Sequence, residues 1–134
     1  MIGLAAVLAL SYLLGSFPTS IVVGKVFFRR DIRAEGSGNA GGTNAFRVFG
    51  WKAGVLVILV DVGKGIAAAL LVSRLASGSP LPPDAVKLAA GTAATIGHVW
   101  TVFAGFRGGK GVATAAGTLA GVAQIGRASC RERV

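Results

Sequence analysis

The first 24 residues, Met1 to Gly24, carry no charged side chain. About 20 apolar residues, rising 1.5 Å each, suffice to cross the hydrocarbon of a bilayer. No other feature constrains the chain so strongly. A secretory signal would place a basic leader before a shorter apolar stretch. Neither is found here, and the run reads as a retained first span. Gly15, Pro18 and Gly24 fall inside it, and proline is tolerated in a membrane helix when a neighbour satisfies the freed carbonyl.

Composition points the same way. Hydrophobic residues make up 53% of the chain and charged residues 14%, against about 25% charged in a globular domain. The 21 glycines fit membrane helices packed through small faces. The chain is too apolar for disorder and has no Gly-X-Y period, and a soluble, charge-decorated enzyme is excluded. The single cysteine, Cys130, rules out an intramolecular disulfide.

Further spans follow. Lys25 to Lys52 is a polar connection with six Lys/Arg, and a second span runs from about Ala53 to Ser73. Asp61 and Lys64 interrupt that span; at i,i+3 they share a helix face and can pair inside a bundle. Ser77-Gly-Ser-Pro-Leu-Pro-Pro83 is too proline-rich to be helical. Asp84 reads as the N-cap of a third span ending at Phe103, and Val112 opens a fourth. The fold expected is all-α, a polytopic transmembrane helix bundle.

The net charge of +9 fits nucleic acid, anionic lipid or an anionic substrate. Nucleic-acid readers interleave such charge with exposed aromatics. Here it sits in short loops between long uncharged runs, so no nucleic acid is expected. The first connection and the loop holding Arg107 and Lys110 are the basic ones, whereas the Pro-rich turn is flanked only by Arg74 and Lys87. The positive-inside rule puts both basic loops in the cytoplasm and the N-terminus outside.

Two stretches carry chemistry. In Gly36-Ser-Gly-Asn-Ala-Gly-Gly-Thr-Asn44, the spelling G-x-G-x-x-G lacks the preceding strand that a dinucleotide fingerprint needs. Its four glycines can instead curl the backbone into a nest of N–H donors suited to phosphate. Ser37, Thr43 and Asn44 add neutral donors and Arg47 a permanent charge; a flexible linker is the alternative. The second stretch, Gly105-Phe-Arg-Gly-Gly-Lys-Gly111, is no nucleotide P-loop, because Ala104 and Gly111 replace the required Gly and Ser/Thr. It reads as a phosphate cradle, with Gly108 and Gly109 exposing amides, Lys110 supplying charge and a helix N-terminus behind. A basic loop that only fixes topology is the alternative. His98, near the cytoplasmic end of the third span, reads first as a hydrogen-bonded structural residue and second as a base. Trp51, Trp100 and Tyr12 read as interfacial or packing residues. There is no Cys/His cluster, no paired carboxylates at a polar site and no Ser-His-Asp set, and no metal is expected.

Gly15-Ser-Phe-Pro18, Gly36-Ser-Gly-Asn39 with Thr43-Asn44 and Arg47, Asp61 with Lys64-Gly65, Gly97-His98 and Gly108-Gly-Lys-Gly-Val-Ala-Thr114 occur in this order. Together they resemble the bacterial acyl-phosphate:glycerol-3-phosphate acyltransferase family (PlsY). The likeness covers residues 1–124. Ala40 and Thr101 stand where that family usually has proline, and neither change removes a functional group. The resemblance implies a seven-helix fold of which about four spans are present. It also implies a third motif bearing His, Asn and Glu that this chain ends before, so the chain by itself is expected to be inactive.

The resemblance further implies transfer of an acyl group from acyl phosphate to the 1-hydroxyl of glycerol 3-phosphate. The products are lysophosphatidic acid and phosphate, in bacterial phospholipid synthesis. An acyl phosphate is an activated mixed anhydride, so the task is to hold two anions, align a hydroxyl and stabilise developing charge. Ser37, Arg47 and Lys110 are the implied catalytic residues, Ser37 orienting the attacking hydroxyl. A covalent acyl-serine is disfavoured, since no histidine is spaced to activate it. Gly38, Asn39, Gly41, Gly42, Thr43, Asn44, Gly108 and Gly109 are implied to bind substrate phosphate, with His98 a further candidate. No cofactor is implied. The partners implied are acyl phosphate, glycerol 3-phosphate and membrane lipid, with no obligate protein partner, at the bacterial inner membrane. The acyl chain would lie along the small-residue helix faces.

Two rival classes account for less. A small transporter or channel explains the spans and the intramembrane Asp61 and Lys64, but not two glycine-rich basic loops on one side. A membrane-anchored nucleic-acid or lipid-surface binder explains the charge, but needs a longer basic run or a basic amphipathic helix. Residues 125–134, with Arg127, Arg131 and Arg133 breaking an apolar helix, look like a non-native tail from adapter read-through; a genuine basic cytoplasmic tail is the alternative.

Overall fold

A computed structural model describes the backbone of residues 3–132 and the side chains up to Ala123. The side chains of the suspected tail lie outside the described residues, as do residues 133 and 134. Every described element is helical. The first apolar run is not one rod but two helices, α1 (Leu4–Gly15) and α2 (Thr19–Val23), the second widening into a π-type turn over Gly24–Phe28.

Pro18 causes the break, because it has no N–H to donate. The carbonyls around the break find side-chain partners elsewhere in the fold. Gly15 O accepts from the Lys64 ammonium at 3.3 Å, as does Phe17 O, and Ser16 O accepts from the Thr101 hydroxyl. Thr101 thus makes a bond that a proline at this position could not.

A 3₁₀ turn (Ile32–Ala34) and a short helix, α3 (Gly42–Phe49), fill the first polar connection. Gly50, at φ +96°, turns the chain into α4 (Trp51–Leu70), which ends in a 3₁₀ turn over Val72–Leu75. After the Pro-rich turn come α5 (Pro83–Val99), a 3₁₀ turn (Val102–Ala104) and α6 (Val112–Glu132). Two boundaries differ from expectation. Pro82, not Asp84, takes the N-cap position of α5; Asp84 sits in the first turn, near the positive end of the helix, and accepts from Lys87 at 3.4 Å. That helix ends at Val99 rather than Phe103, because Trp100 leaves the helical region. The backbone of α6 also continues as helix into the suspected tail, as far as Glu132.

Packing is inside-out relative to a soluble protein. Leu10, Leu13, Leu59, Leu88 and Leu119 are exposed, while Ser11, Ser20, Thr114 and Thr118 are buried. Such an arrangement suits lipid outside and close, small-residue contact inside. A Cβ on Gly117 of α6 would strike the Val62 carbonyl of α4, and one on Gly97 of α5 would strike the Tyr12 carbonyl of α1. The central core is correspondingly small: Val7, Ala68, Ala90 and Ala94. Leu4–Phe28 and Trp51–Leu75 are long and apolar enough to cross a membrane. The chain alternates direction along α4, α5 and α6, so both polar loops emerge at one end of the bundle and the Pro-rich turn at the other.

Candidate active site

The first loop is organised by its own charges. Asp31 accepts from the Arg33 amide at 2.9 Å and from the Arg33 side chain at 3.1 Å (Nε) and 2.9 Å (Nη2). These bonds to the charged form hold the Asp31 carboxyl down at about 2 and push the Arg33 guanidinium up. The remaining nitrogen of Arg33, Nη1, donates to the Ala104 carbonyl at 3.0 Å, joining the first loop to the second. Arg30 pairs with Glu35 at 2.8 Å.

Asn44 braces the glycine-rich turn. It is buried on α3, and its Nδ2 reaches Ile32 O at 3.3 Å, Glu35 O at 3.0 Å and Asn39 O at 3.0 Å. Its Oδ1 accepts from the Ser37 amide at 3.1 Å. The polar atoms of Asn44 therefore close the loop on itself. Gly38 takes φ +77°, a left-handed turn that suits glycine. Ser37 and Asn39 are left facing a cavity with Gly41, Gly42 and Thr43, where α3 begins without a side-chain cap.

The second loop approaches the same cavity differently from the expected cradle. The amides of Gly108 and Gly109 donate to Val99 O at 3.0 Å and His98 O at 3.2 Å, so they cap the end of α5 instead of standing open. The backbone that does line the cavity is Lys110 to Ala113, the start of α6. Gly38, Gly108 and Gly109 are not among the lining residues.

The cavity measures about 460 Å³. Ser37, Asn39, Gly41 to Asn44 and Arg47 form one side, Lys110 and the start of α6 another, and Ile58, Val62 and Ala116 an apolar flank. The two helix N-termini add partial positive charge to a volume already flanked by two cations. Among the described residues, Arg47 and Lys110 have no carboxylate within 4 Å, whereas Arg30 and Arg33 are both paired. Fixed positive charge beside an apolar flank can hold an anion that carries a hydrocarbon.

Behind the cavity lies a buried charged cluster. Asp61 and Lys64 pair at 3.0 Å, as their spacing predicts. His98 joins them, its Nδ1 lying 3.6 Å from Asp61 Oδ1 and 3.5 Å from Lys64 Nζ. Asp61 and His98 also line the cavity. No spacing in the sequence links His98 to the pair, because the contact is made across helices α4 and α5.

The family described as glycerol-3-phosphate acyltransferase matches residues 5–129 of the chain. A glycerol-3-phosphate acyltransferase of Chlorobium luteolum is 57% identical over 131 residues, covering 93% of this chain and 56% of that protein. One of Chlorobaculum tepidum is 56% identical with the same coverage. The crystal structure of PlsY (YgiH), an integral membrane glycerol 3-phosphate acyltransferase in its glycerol 3-phosphate form, superposes with a TM-score of 0.78 at 40% identity. That superposition covers 91% of this chain and 58% of the other. The chain spans a little over half the length of the curated relatives it matches.

Proposed function

The chain belongs to the glycerol-3-phosphate acyltransferase family, and from that premise we propose that it transfers an acyl group from acyl phosphate to the 1-hydroxyl of glycerol 3-phosphate. One observation carries the reading. Arg47 on α3 and Lys110 on the second loop line one cavity together with two helix N-termini and an apolar flank.

Both substrates are phosphates, and one also carries a hydrocarbon chain. The planar fork of Arg47 suits a phosphate held in a fixed orientation, and Lys110 adds a point charge. The amides at the starts of α3 and α6 add donors at no cost of reorganisation. The hydroxyl of Ser37, which accepts from the Asn39 amide at 3.4 Å, orients the attacking oxygen. Asn39, Gly41, Gly42 and Thr43 shape the anion side of the cavity, while Gly38, Asn44, Gly108 and Gly109 hold the loops that present it. The apolar flank of Ile58, Val62 and Ala116 faces the acyl chain. In the step itself, the 1-hydroxyl oxygen bonds to the acyl carbonyl carbon and the carbon–oxygen bond to phosphate breaks. The hydroxyl proton leaves with the phosphate. No cofactor enters this scheme.

We place this chemistry in residues 1–124, at the cytoplasmic face of the inner membrane with the N-terminus outside, as the distribution of basic residues directs. The test is a full-length chimera in which this chain is continued with the remaining residues of the Chlorobium luteolum relative. It should convert acyl phosphate and glycerol 3-phosphate to lysophosphatidic acid and release phosphate. Failure to acylate glycerol 3-phosphate, in a chimera that inserts and folds, would sink the reading.

A further inference from the structure

We propose that the buried Lys64–Asp61–His98 cluster is the positioning device for Lys110, setting the second loop against the first. This rests on the reading of Lys110 as a phosphate ligand. It begins from how little holds that residue. Lys110 has no side-chain partner among the described residues, so its place is inherited from the two residues before it. Gly108 and Gly109 are fixed by two bonds to the end of α5, from Gly108 N to Val99 O and from Gly109 N to His98 O.

The His98 ring completes the contact. A Cβ on Gly109 would come within 2.5 Å of His98 Nε2 and 2.9 Å of the Ala40 carbonyl. Gly109 is therefore the junction where the end of α5, the second loop and the first loop meet. The orientation of the ring sets how closely they approach.

That orientation is fixed from behind. Nδ1 faces Asp61 and Lys64, and Lys64 is anchored in turn to the carbonyls of Gly15 and Phe17 at the break in the first helix. Burying an ion pair carries a large desolvation cost, and an apolar pair of similar volume would fill the space at less cost. A cluster that joins three helices and ends at the loop bearing Lys110 accounts for the burial through position. Lys64 also cancels the Asp61 carboxylate, which lines a cavity built for anions and would otherwise repel them.

A double-mutant cycle on glycerol 3-phosphate binding tests this, read by calorimetric titration of the full-length chimera in detergent. His98→Gln should weaken binding about fivefold in the native background and less than about twofold when Lys110 is already alanine, because the two act as one unit. Asp61→Asn, which keeps shape and removes charge, should show the same dependence and stands in where His98→Gln does not fold. Equal losses in both backgrounds would overturn the proposal while leaving the anion site intact. Binding that Lys110→Ala does not change, or no binding by the chimera without substitutions, would overturn both the proposal and the reading beneath it.

Discussion

Arg33 donates from Nη1 to the carbonyl oxygen of Ala104 at 3.0 Å, a bond between residues 71 apart in the chain. It ties the two polar loops together outside the membrane helices, while the same guanidinium holds Asp31. Replacing Arg33 with methionine removes both contacts. A hydrogen bond to a charged group contributes about 1.5–3 kcal/mol, so Arg33→Met should lower the thermal midpoint in detergent and weaken glycerol 3-phosphate binding. Arg30→Lys should leave both nearly unchanged, since its pair with Glu35 lies at the surface.

The Asp31 carboxyl also makes stability depend on acid. Its value in the folded protein is about 2, below the ordinary 3.8. A depressed carboxyl stabilises fully above its unfolded value, and the contribution fades as pH falls from about 3.8 toward 2. Thermal midpoints measured between about pH 5 and pH 2 should therefore drop more steeply for the native chain than for Asp31→Asn. Parallel slopes would show that the Arg33 pairing contributes nothing to folding.

Lys64 is expected to be the most costly polar residue to remove. Its loss would leave Asp61 charged and buried and take away the partner of the Gly15 carbonyl. Breaking a buried ion pair on one side costs about 3–5 kcal/mol, so Lys64→Met should unfold far more readily in detergent. Lys87→Met removes a pair whose carboxylate is 63% exposed and should be almost silent. Neutralising Asp61 in the Lys64→Met background should recover part of the loss.

The order of helices puts both polar loops at one end of the bundle, and labelling reads which side of the membrane that end faces. With Cys130 replaced by serine, cysteines at Glu35 and Arg107 should react only from the cytoplasmic side, and one at Ser77 only from outside. Arg107 and Ser77 are exposed and Glu35 lies at the open edge of the first loop. Labelling of Glu35 and Arg107 from opposite sides would separate the two loops and dissolve the shared cavity.

The periodic and local features of the fold were open to reading from sequence. A run of 24 uncharged residues makes membrane helix, Asp61 and Lys64 at i,i+3 make a pair, and three prolines between Ser77 and Pro83 make a turn. What depends on long-range contact was not. Asn44 reads as a phosphate donor beside its glycines, but its amide faces inward because the loop's own carbonyls surround it. Gly108 and Gly109 read as open amides, yet the end of α5 has unpaired carbonyls that accept them first. His98 meets Asp61 only once α4 and α5 are packed. Short α3 was hidden because its eight residues sit inside a polar connection rich in glycine.

Arg47 and Lys110 decide between catalysis and topology. Both are basic, so as topological charges either could be replaced while its neighbours kept the loops in place. Both, however, line the cavity without a carboxylate partner among the described residues, which Arg30 and Arg33 do not. If Arg47 clamps a phosphate with its planar fork, lysine cannot reproduce that geometry. In the full-length chimera, Arg47→Lys should keep insertion and orientation but lose at least about 2–3 kcal/mol of transition-state stabilisation, the range for one donor in a preorganised site. Lys110→Ala should lose a similar amount. The comparison of kcat/KM for both variants, against labelling that shows unchanged orientation, makes the distinction. Near-native rates for both would return them to the role of topological charges.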